Sequence, residues 1–240
     1  MNPVLDIHIH TIASGHAYST VTEYAREAAA KGLELIAVTD HSPAMPGAAN
    51  KFYFINMRVL PRRLNGVEIL RGVELNILDP EGTVDLGPGV ISRLDFAIAS
   101  IHTPCFKGNL DDYTEVFINA MKNPHVKVIG HVCDPRYLFD MDEFIRAAEA
   151  YGVYPEVNNA SLKPGSSRFG GDELLRRFLG LCVKRGLPVC LGSDAHYHGD
   201  VGNFDSAVKL LQECEVPERL VLNTSVEKFK EALGIAYKEI

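Results

Sequence analysis

The sequence predicts an α/β fold in which parallel strands alternate with helices, in a single domain over residues 1–240. Three observations favour this fold: seven short runs rich in Val, Ile or Leu, amphipathic helical segments between them, and a chain length of 240 residues. At this length we expect a closed or distorted barrel rather than two small domains. An open doubly wound sheet is the main alternative, although the chain has neither a GxGxxG nor a P-loop motif.

The seven apolar runs are each short enough to form a buried parallel strand. They lie at residues 4–9, 35–39, 68–75, 94–101, 126–131, 153–157 and 188–192. Helices are expected at residues 21–31, 110–122, 140–151, 172–185, 204–214 and 226–233. Thr20 with Glu23, and Asp140 with Glu143, have the spacing of a capping box at a helix start. Residues 43–50 and 79–89 are predicted to form irregular loops after the second and third strands.

Composition and charge exclude several classes of protein. The formal net charge of −7 argues against a broad basic surface for nucleic acid or an anionic membrane. No apolar run approaches the roughly 18 residues that a membrane-spanning helix needs. The first residues also lack the basic and apolar regions of a signal peptide. We therefore expect a cytoplasmic protein with a small-molecule partner and no nucleic-acid or membrane partner, while monomer and homo-oligomer stay open.

Metal-binding residue types fall at the C-terminal ends of the predicted strands. His8 and His10 are two residues apart on a strand, so both can reach one metal ion while Ile7 and Ile9 pack on the opposite face. In β/α barrels the C-terminal ends of the strands build the active site. The candidate ligands are His8, His10, His16, His41, Glu74, His102, His131, Asp194 and His196.

The mixture of donors indicates which metals would bind. Imidazoles with a few carboxylates suit zinc, manganese or iron, whereas an all-oxygen site would suit magnesium or calcium. The candidates exceed the four ligands of a single tetrahedral ion. We therefore predict two or three ions per chain. Glu74 is the expected bridging ligand because it comes from a central strand.

Three further residues are predicted to lie outside the ligand set. His125 precedes the fifth strand and is expected at the wrong end of the barrel. His198 is expected either on the surface or lining the pocket. Cys133 follows His131 by two residues and is expected to be a bystander, since five cysteines without a CxxC pair argue against a disulfide framework or a cysteine zinc site.

As a set, these motifs resemble the PHP (polymerase and histidinol phosphatase) superfamily over nearly the whole chain. The matching elements are DxHxHT from Asp6, TDH from Thr39, GVE from Gly72, SIH from Ser100, GH from Gly130 and GSDAH from Gly192. The HAYS sequence at 16–19 and the NPH sequence at 123–125 look closest to the YcdX-like zinc phosphatases.

The resemblance implies a distorted seven-stranded (β/α)7 barrel, similar to a TIM barrel, with a trinuclear centre usually described as zinc. It assigns one ion to His8, His10, Glu74 and Asp194. It assigns a second ion to Glu74, His102 and His131, and a third to His16, His41 and His196. Val132 and Cys133 depart from the small residues or proline that often follow the histidine in related sequences, which affects the expected pocket shape rather than the ligands.

The resemblance also favours a reaction: hydrolysis of phosphomonoesters by a hydroxide that bridges two of the metals, with in-line attack and no covalent enzyme intermediate. Asp194 is a candidate proton acceptor as well as a ligand. Asp40 and Asp6 are expected to orient ligands or to cap strand ends. Arg168, or else Lys163 or Arg136, is the candidate phosphate clamp. The alternatives are a histidinol-phosphate phosphatase, a nuclease-like phosphodiesterase and a non-catalytic metal-binding domain.

Overall fold

The computed structural model describes residues 1–168 and 170–236, and its parallel strands form one nearly closed barrel. The strands are β1 (Leu5–Ile9), β2 (Leu35–Val38), β3 (Arg63–Leu64), β4 (Val67–Ile77), β5 (Phe96–Ile101), β6 (Val126–Ile129), β7 (Tyr154–Asn158) and β8 (Cys190–Gly192). All but β3 pair in parallel with their neighbours in the order β1-β2-β4-β5-β6-β7-β8. A bridge between Ile9 and Ala195 brings the two ends of the sheet together. The predicted barrel is confirmed, and the open doubly wound sheet is wrong.

Six of the eight helices in the described residues were predicted, with shifts of at most four residues at their ends, and the two short helices between residues 51 and 91 were not. The eight helices are α1 (Val21–Ala30), α2 (Lys51–Asn56), α3 (Pro88–Ile91), α4 (Thr114–Met121), α5 (Met141–Tyr151), α6 (Asp172–Arg185), α7 (Asp205–Glu213) and α8 (Val226–Leu233). The capping box that opens α1 is confirmed, since Thr20 and Glu23 exchange side-chain-to-backbone hydrogen bonds. Asp140 caps α5 by accepting a hydrogen bond from the Glu143 amide at 2.8 Å.

Several short elements between β2 and β4 were not predicted. The loop after β2 leads into α2, which has only six residues and two Phe and one Tyr among them. A segment this short cannot display helical periodicity, and aromatic residues are modest helix formers. The hairpin partner β3 has two residues and pairs antiparallel with β4. In addition, β4 continues to Ile77, beyond the predicted end at residue 75, so that Asn76 belongs to the strand.

Two apolar clusters hold the barrel together. The smaller one joins residues of six strands to α8, which contributes Val226, Phe229 and Leu233. The larger cluster packs the other strand faces against the remaining helices. Ile7 belongs to the smaller cluster and Ile9 to the larger one, so the prediction that they share a face is wrong. The reason is a shift in the pairing of β1 with β2 between Asp6 and Ile9, which changes the strand's alternation.

The helices of the described residues were compared with the length and apolar character of a membrane-spanning helix. Within 1–168 and 170–236, none of the helices combines the length and the apolar character needed to cross a bilayer.

Candidate metal centre

Glu74 lies at the centre of the predicted ligands, where the strands end. Its Oε1 is 3.4 Å from His8 Nε2, 3.3 Å from His102 Nε2 and 3.2 Å from His131 Nε2. These histidines come from β1 and from the ends of β5 and β6, so three strand ends direct imidazole nitrogens at one carboxylate oxygen. Glu74 is 1 % exposed, and the arrangement is therefore shielded from water.

The second oxygen of Glu74 faces two other histidines. Oε2 lies 3.5 Å from His10 Nε2 and 2.7 Å from His41 Nδ1. Glu74 Oε2 and His41 Nδ1 are both buried, and among the residues described neither has a hydrogen-bond partner of acceptable geometry. Buried polar atoms are rarely left in this way unless something else satisfies them. A carboxylate with histidines on both oxygens fits the predicted role of a bridging ligand.

Asp194 completes the cluster from the end of β8. Its Oδ1 is 3.2 Å from His10 Nε2 and 3.8 Å from His8 Nε2. His196 follows two residues later, and its ring centroid lies 4.4 Å from that of His10. His16 is the exposed member of the set, with its ring centroid 5.0 Å from those of both His41 and His196.

All nine predicted ligands therefore meet in one region. Three groups have donor atoms that all lie within 4.8 Å of one another: His10, His41 and His196; His8, His10 and Asp194; His41, Glu74 and His102. These groups overlap with the three ligand sets that the resemblance implies without reproducing them. The assignment of each ligand to a particular ion stays a prediction.

The close approach of imidazole nitrogens fits cations better than it fits hydrogen bonds alone. The Nε2 atoms of His8 and His10 are 3.1 Å apart, and those of His102 and His131 are 3.3 Å apart. Each neutral imidazole carries a single N–H. When several Nε2 atoms lie this close together, some of their lone pairs must therefore point at one another. A shared cation would satisfy them.

The charge states of the site also favour a cation. Burial opposes ionisation of Glu74, but the neighbouring His102 and other imidazoles hold its pKa well below the usual value. Burial also opposes ionisation of Asp194, but the neighbouring His8 and Arg168 hold its pKa well below the usual value. Burial and an adjacent imidazole lower the pKa of His10 well below its usual value. At His8, burial opposes protonation, but the Glu156 and Glu74 carboxylates raise its pKa well above the usual value. Metal binding requires ionised carboxylates and neutral imidazoles, so a bound cation would take the place of the proton on His8.

A buried carboxylate that was not among the predicted site residues contacts two of the predicted ligands. Glu156 in β7 is fully buried; its Oε1 lies 2.7 Å from His8 Nδ1, and its Oε2 accepts a hydrogen bond from the His131 amide at 2.6 Å. Such partners fix the tautomer and orientation of a ligating histidine. The close packing requires glycine at 192, since a Cβ there would lie 1.8 Å from Glu156 Oε1. Glu156 sits at a predicted strand end, which was the available signal.

Two further polar residues orient ligands. Asn76 Oδ1 lies 2.7 Å from His102 Nδ1, and Ser14 Oγ lies 3.1 Å from His10 Nδ1. Ser14 in turn donates to Asp40 Oδ1 at 2.7 Å. The sequence analysis did not identify Asn76, because β4 was predicted to end before it. It did not identify Ser14, because Ser14 lies in the loop after β1.

Asp40 and Asp6 both lie behind the ligands. Besides Ser14, Asp40 accepts hydrogen bonds from the Thr11 amide at 2.6 Å and from the Tyr53 hydroxyl at 2.5 Å. Asp6 accepts from the backbone amides of His8 at 3.2 Å, Ser193 at 3.1 Å and Gly202 at 2.8 Å. Both carboxylates therefore organise the loops that carry ligands.

Arg168 is the candidate clamp that reaches the ligand cluster. Its Nη2 pairs with Asp194 Oδ2, and its Nε donates to Ser161 Oγ at 2.8 Å. The side chain is 15 % exposed. It therefore sits at the edge of the cluster, between buried Asp194 and solvent.

The other two basic candidates are engaged farther out. Lys163 Nζ lies 3.3 Å from Asp200 Oδ1. Arg136 pairs with Asp134 at 2.6 Å and donates to Thr103 Oγ1 at 3.1 Å. Their acidic partners lie outside the predicted ligand set, whereas the partner of Arg168 is the predicted ligand Asp194, so Arg168 is the better placed candidate for binding phosphate.

The residues expected outside the ligand set lie where the sequence indicated. His125 precedes β6, at the opposite end of the barrel, and its carbonyl accepts from the Ala97 amide at 3.2 Å. His198 Nδ1 lies 3.0 Å from Ser19 Oγ, and His198 belongs to none of the three donor groups described above. Cys133 is buried, and burial raises the pKa of its thiol, as expected for an unreactive cysteine.

Two of the predicted ligands have strained backbones. His131 has φ +30° and Asp194 has φ +55°, in the left-handed region that residues other than glycine seldom occupy. Their amides are held in place by Glu156 Oε2 and by the His8 carbonyl, the latter at 2.9 Å. Such strain persists only where the surroundings impose it, and it is concentrated at functional sites.

The fold and the site together define a class of protein. It is a β/α barrel with a histidine-rich donor cluster at the C-terminal ends of its strands. The chain belongs to the PHP domain family, whose model matches residues 6–165. The predicted PHP resemblance is thereby confirmed.

The relatives extend over nearly the whole chain. A probable phosphatase of Caldanaerobacter subterraneus subsp. tengcongensis is 48% identical over 239 residues, which cover 99% of this chain and 93% of that protein. A probable phosphatase of Acetivibrio thermocellus is 47% identical over 232 residues, covering 96% of this chain and 95% of that protein.

Solved structures show the same fold. The histidinol phosphate phosphatase of Lactococcus lactis subsp. lactis, whose structure contains zinc, L-histidinol and phosphate, matches with a TM-score of 0.60. The match covers 89% of this chain and 94% of that chain at 19% sequence identity.

Proposed function

We propose that this protein is a metal-dependent phosphatase that hydrolyses small phosphomonoesters, with zinc ions in a trinuclear centre. The observation that carries the proposal is the convergence of imidazole nitrogens on both oxygens of Glu74. Relatives of nearly equal length named as probable phosphatases support the reaction class. The net charge of −7 favours a small substrate over nucleic acid.

The ions would be held by the nine clustered side chains. These are His8, His10, His16, His41, Glu74, His102, His131, Asp194 and His196. When bound, such ions activate water at neutral pH and offset the negative charge of a phosphate.

The chain's own residues supply orientation and charge. Asp194 is held ionised and is a candidate acceptor for a proton from the attacking water, at Oδ1. Arg168 has five guanidinium N–H donors, of which its contacts with Asp194 and Ser161 use two, so the remaining donors can bind a phosphate oxygen. Asp40 acts one step behind, by holding Ser14 against His10. Burial shields the inner part of the cluster, around Glu74, from bulk water. The outer part, at His16 and Arg168, reaches solvent.

The experiment is to measure metal content and phosphatase activity on the same preparation. Protein dialysed against a chelator should lose hydrolysis of p-nitrophenyl phosphate, and added zinc, manganese or iron should restore it to different degrees. Histidinol phosphate and single-stranded DNA, assayed in parallel, separate the narrower phosphatase and the nuclease-like alternatives. Full turnover by metal-free protein, or metal binding with no hydrolysis of any phosphoester, would overturn the proposal.

A further inference from the structure

A carboxylate outside the ligand cluster connects two of the strand ends that carry ligands. Asp85 lies in the loop between β4 and α3, eleven positions after Glu74 in the sequence. We propose that Asp85 is a positioning residue for the group formed by His41, Glu74 and His102, and that it sets the tautomer of His102 through Asn76. The inference rests on the metal centre of the proposed function.

Asp85 first fixes the segment that follows His41. Its Oδ1 accepts a hydrogen bond from Ser42 Oγ, and its Oδ2 accepts one from the Ala44 amide at 2.7 Å. The Ser42 amide donates to the Glu74 carbonyl at 3.0 Å. The backbone on the C-terminal side of His41 is therefore tied both to the central strand and to Asp85.

Asp85 also fixes the side-chain amide of Asn76. Asn76 Nδ2 donates to Asp85 Oδ2 at 2.8 Å and to the Ser42 carbonyl at 3.1 Å, and the Asn76 backbone amide donates to Asp85 Oδ1 at 3.0 Å. An ionised carboxylate and a carbonyl can only accept hydrogen bonds. The NH2 group of Asn76 must therefore face them, which directs its Oδ1 to the other side.

This orientation determines where His102 carries its proton. Asn76 Oδ1 lies 2.7 Å from His102 Nδ1 and can only accept, so Nδ1 must be the protonated nitrogen of the neutral ring. Nε2 is then left with its lone pair, and it faces Glu74 Oε1 at 3.3 Å. The tautomer that can bind a metal through Nε2 is thus selected by a carboxylate that does not touch the histidine.

Burial makes this chain of contacts effective. Ser42 and Asn76 are both 0 % exposed, so water cannot readily replace their partners. In Asp85→Asn, the new side chain can offer an NH2 group to Asn76. The Ser42 carbonyl then still holds the NH2 group of Asn76, but the carboxylate no longer does, so rotation of the Asn76 amide costs less. In the rotated amide, N–H faces His102 Nδ1 and the ring proton moves to Nε2, where it blocks a metal.

The test compares Asp85→Asn with Asp79→Asn, a matched loss of one carboxylate from the same loop. Among the described residues, the side chain of Asp79 has one hydrogen bond, which its Oδ1 accepts from the nearby Thr83 amide at 2.9 Å. Chelator-stripped proteins are titrated with zinc against a competing chelator. One step of the binding curve should move to about tenfold higher free zinc in Asp85→Asn, within the range for lost outer-shell partners, and should stay in place in Asp79→Asn.

Two further readouts distinguish positioning from general destabilisation. Long-range 1H–15N spectra of the metal-free protein, with His102 assigned by its substitution, should show Nδ1–H in the parent and increased Nε2–H in Asp85→Asn. In an Asn76→Ala background, Asp85→Asn should change zinc binding less than it does in the parent, because the connecting amide is gone and the contacts of Asp85 with Ser42 and Ala44 remain. Circular dichroism verifies folding, and Asp85→Ser replaces Asp85→Asn if the latter does not fold.

The outcomes separate this inference from the proposed function. A parent protein that binds no zinc would overturn the metal centre itself. A parent that binds zinc, with Asp85→Asn showing the same binding curve and the same His102 tautomer, would overturn the role of Asp85 and leave the metal centre standing.

Discussion

Glu156 Oε1 lies 2.7 Å from Nδ1 of His8 inside the barrel, and neither side chain is exposed. The two residues are 148 positions apart in the sequence and come from β7 and β1. The contact orients the first ligand of the chain through its second ring nitrogen, which leaves Nε2 facing Glu74 and Asp194.

Replacing Glu156 with glutamine tests this contact. Glu156→Gln keeps the shape but weakens the acceptor for His8 and for the His131 amide, so zinc affinity should fall by about 10- to 100-fold. Competitive zinc titration measures the change. Glu149→Gln is the control, because Glu149 pairs with Arg185 on the surface. Equal zinc affinity in both variants would show that Glu156 does not support the ligands.

Gly192→Ala should destabilise the protein by disturbing the contact between Glu156 and His8. A Cβ at 192 would lie 1.8 Å from Glu156 Oε1 and 2.8 Å from His8 Cβ, in a fully packed interior. Overpacking of this kind costs about 1–3 kcal/mol of unfolding free energy. Urea denaturation of the chelated protein measures it.

The matched control is Gly180→Ala, at an exposed position of α6 where an added Cβ meets nothing within 4 Å. Alanine in a helix interior should raise the unfolding free energy by about 0.5–1 kcal/mol. Opposite signs for the two substitutions are expected, and a neutral Gly192→Ala would contradict the packing of Glu156.

His8→Ala and Asp194→Ala should abolish phosphatase activity and reduce the zinc bound per chain. Each removes a ligand from a group whose donor atoms lie within 4.8 Å of one another. His125→Ala, at the opposite end of the barrel, should keep both zinc and activity. Metal analysis and p-nitrophenyl phosphate hydrolysis on the same samples check the result. Loss of zinc in His125→Ala alone would place the centre elsewhere.

Arg168→Lys should impair the reaction although it preserves the charge. Lysine cannot reproduce the fork that contacts Asp194 and Ser161 and still present donors to a phosphate oxygen. We expect kcat/KM to fall by about 10²-fold, the scale for one lost donor at a developing charge. Steady-state kinetics measure it, with Lys163→Arg as the control since Lys163 pairs with Asp200. Unchanged kinetics in Arg168→Lys would exclude Arg168 as the clamp.

Removing the metals should lower thermal stability. Ligands that bind only the folded state stabilise it, and the repulsion between converging carboxylates returns when the cations leave. A melting curve recorded with chelator should therefore shift to lower temperature, and zinc should reverse the shift. A melting temperature that does not respond to chelator would argue against ions bound between Glu74 and Asp194.

The fold could be predicted from the sequence because the sequence signals for strands and helices are local. A strand of five residues and a capped helix such as α1 are encoded within their own segments, by apolar runs and by the Thr20–Glu23 pair. The elements it did not reveal include α2, β3 and α3, which have six, two and four residues, too few for a period to appear. The wrong prediction for Ile7 and Ile9 has a different origin, since the shift in strand pairing depends on the neighbouring strand.

The sequence by itself determined which donors lie at the strand ends, because in a β/α barrel the segments that follow the strands, and with them His10, His41 and Asp194, meet at one end of the barrel. Only the tertiary structure decided which groups support them. Glu156 beneath His8, and Asp85 behind Asn76 and His102, are contacts between segments that come together when the barrel closes. Their selection depends on packing across strands, and no local period in the chain records it.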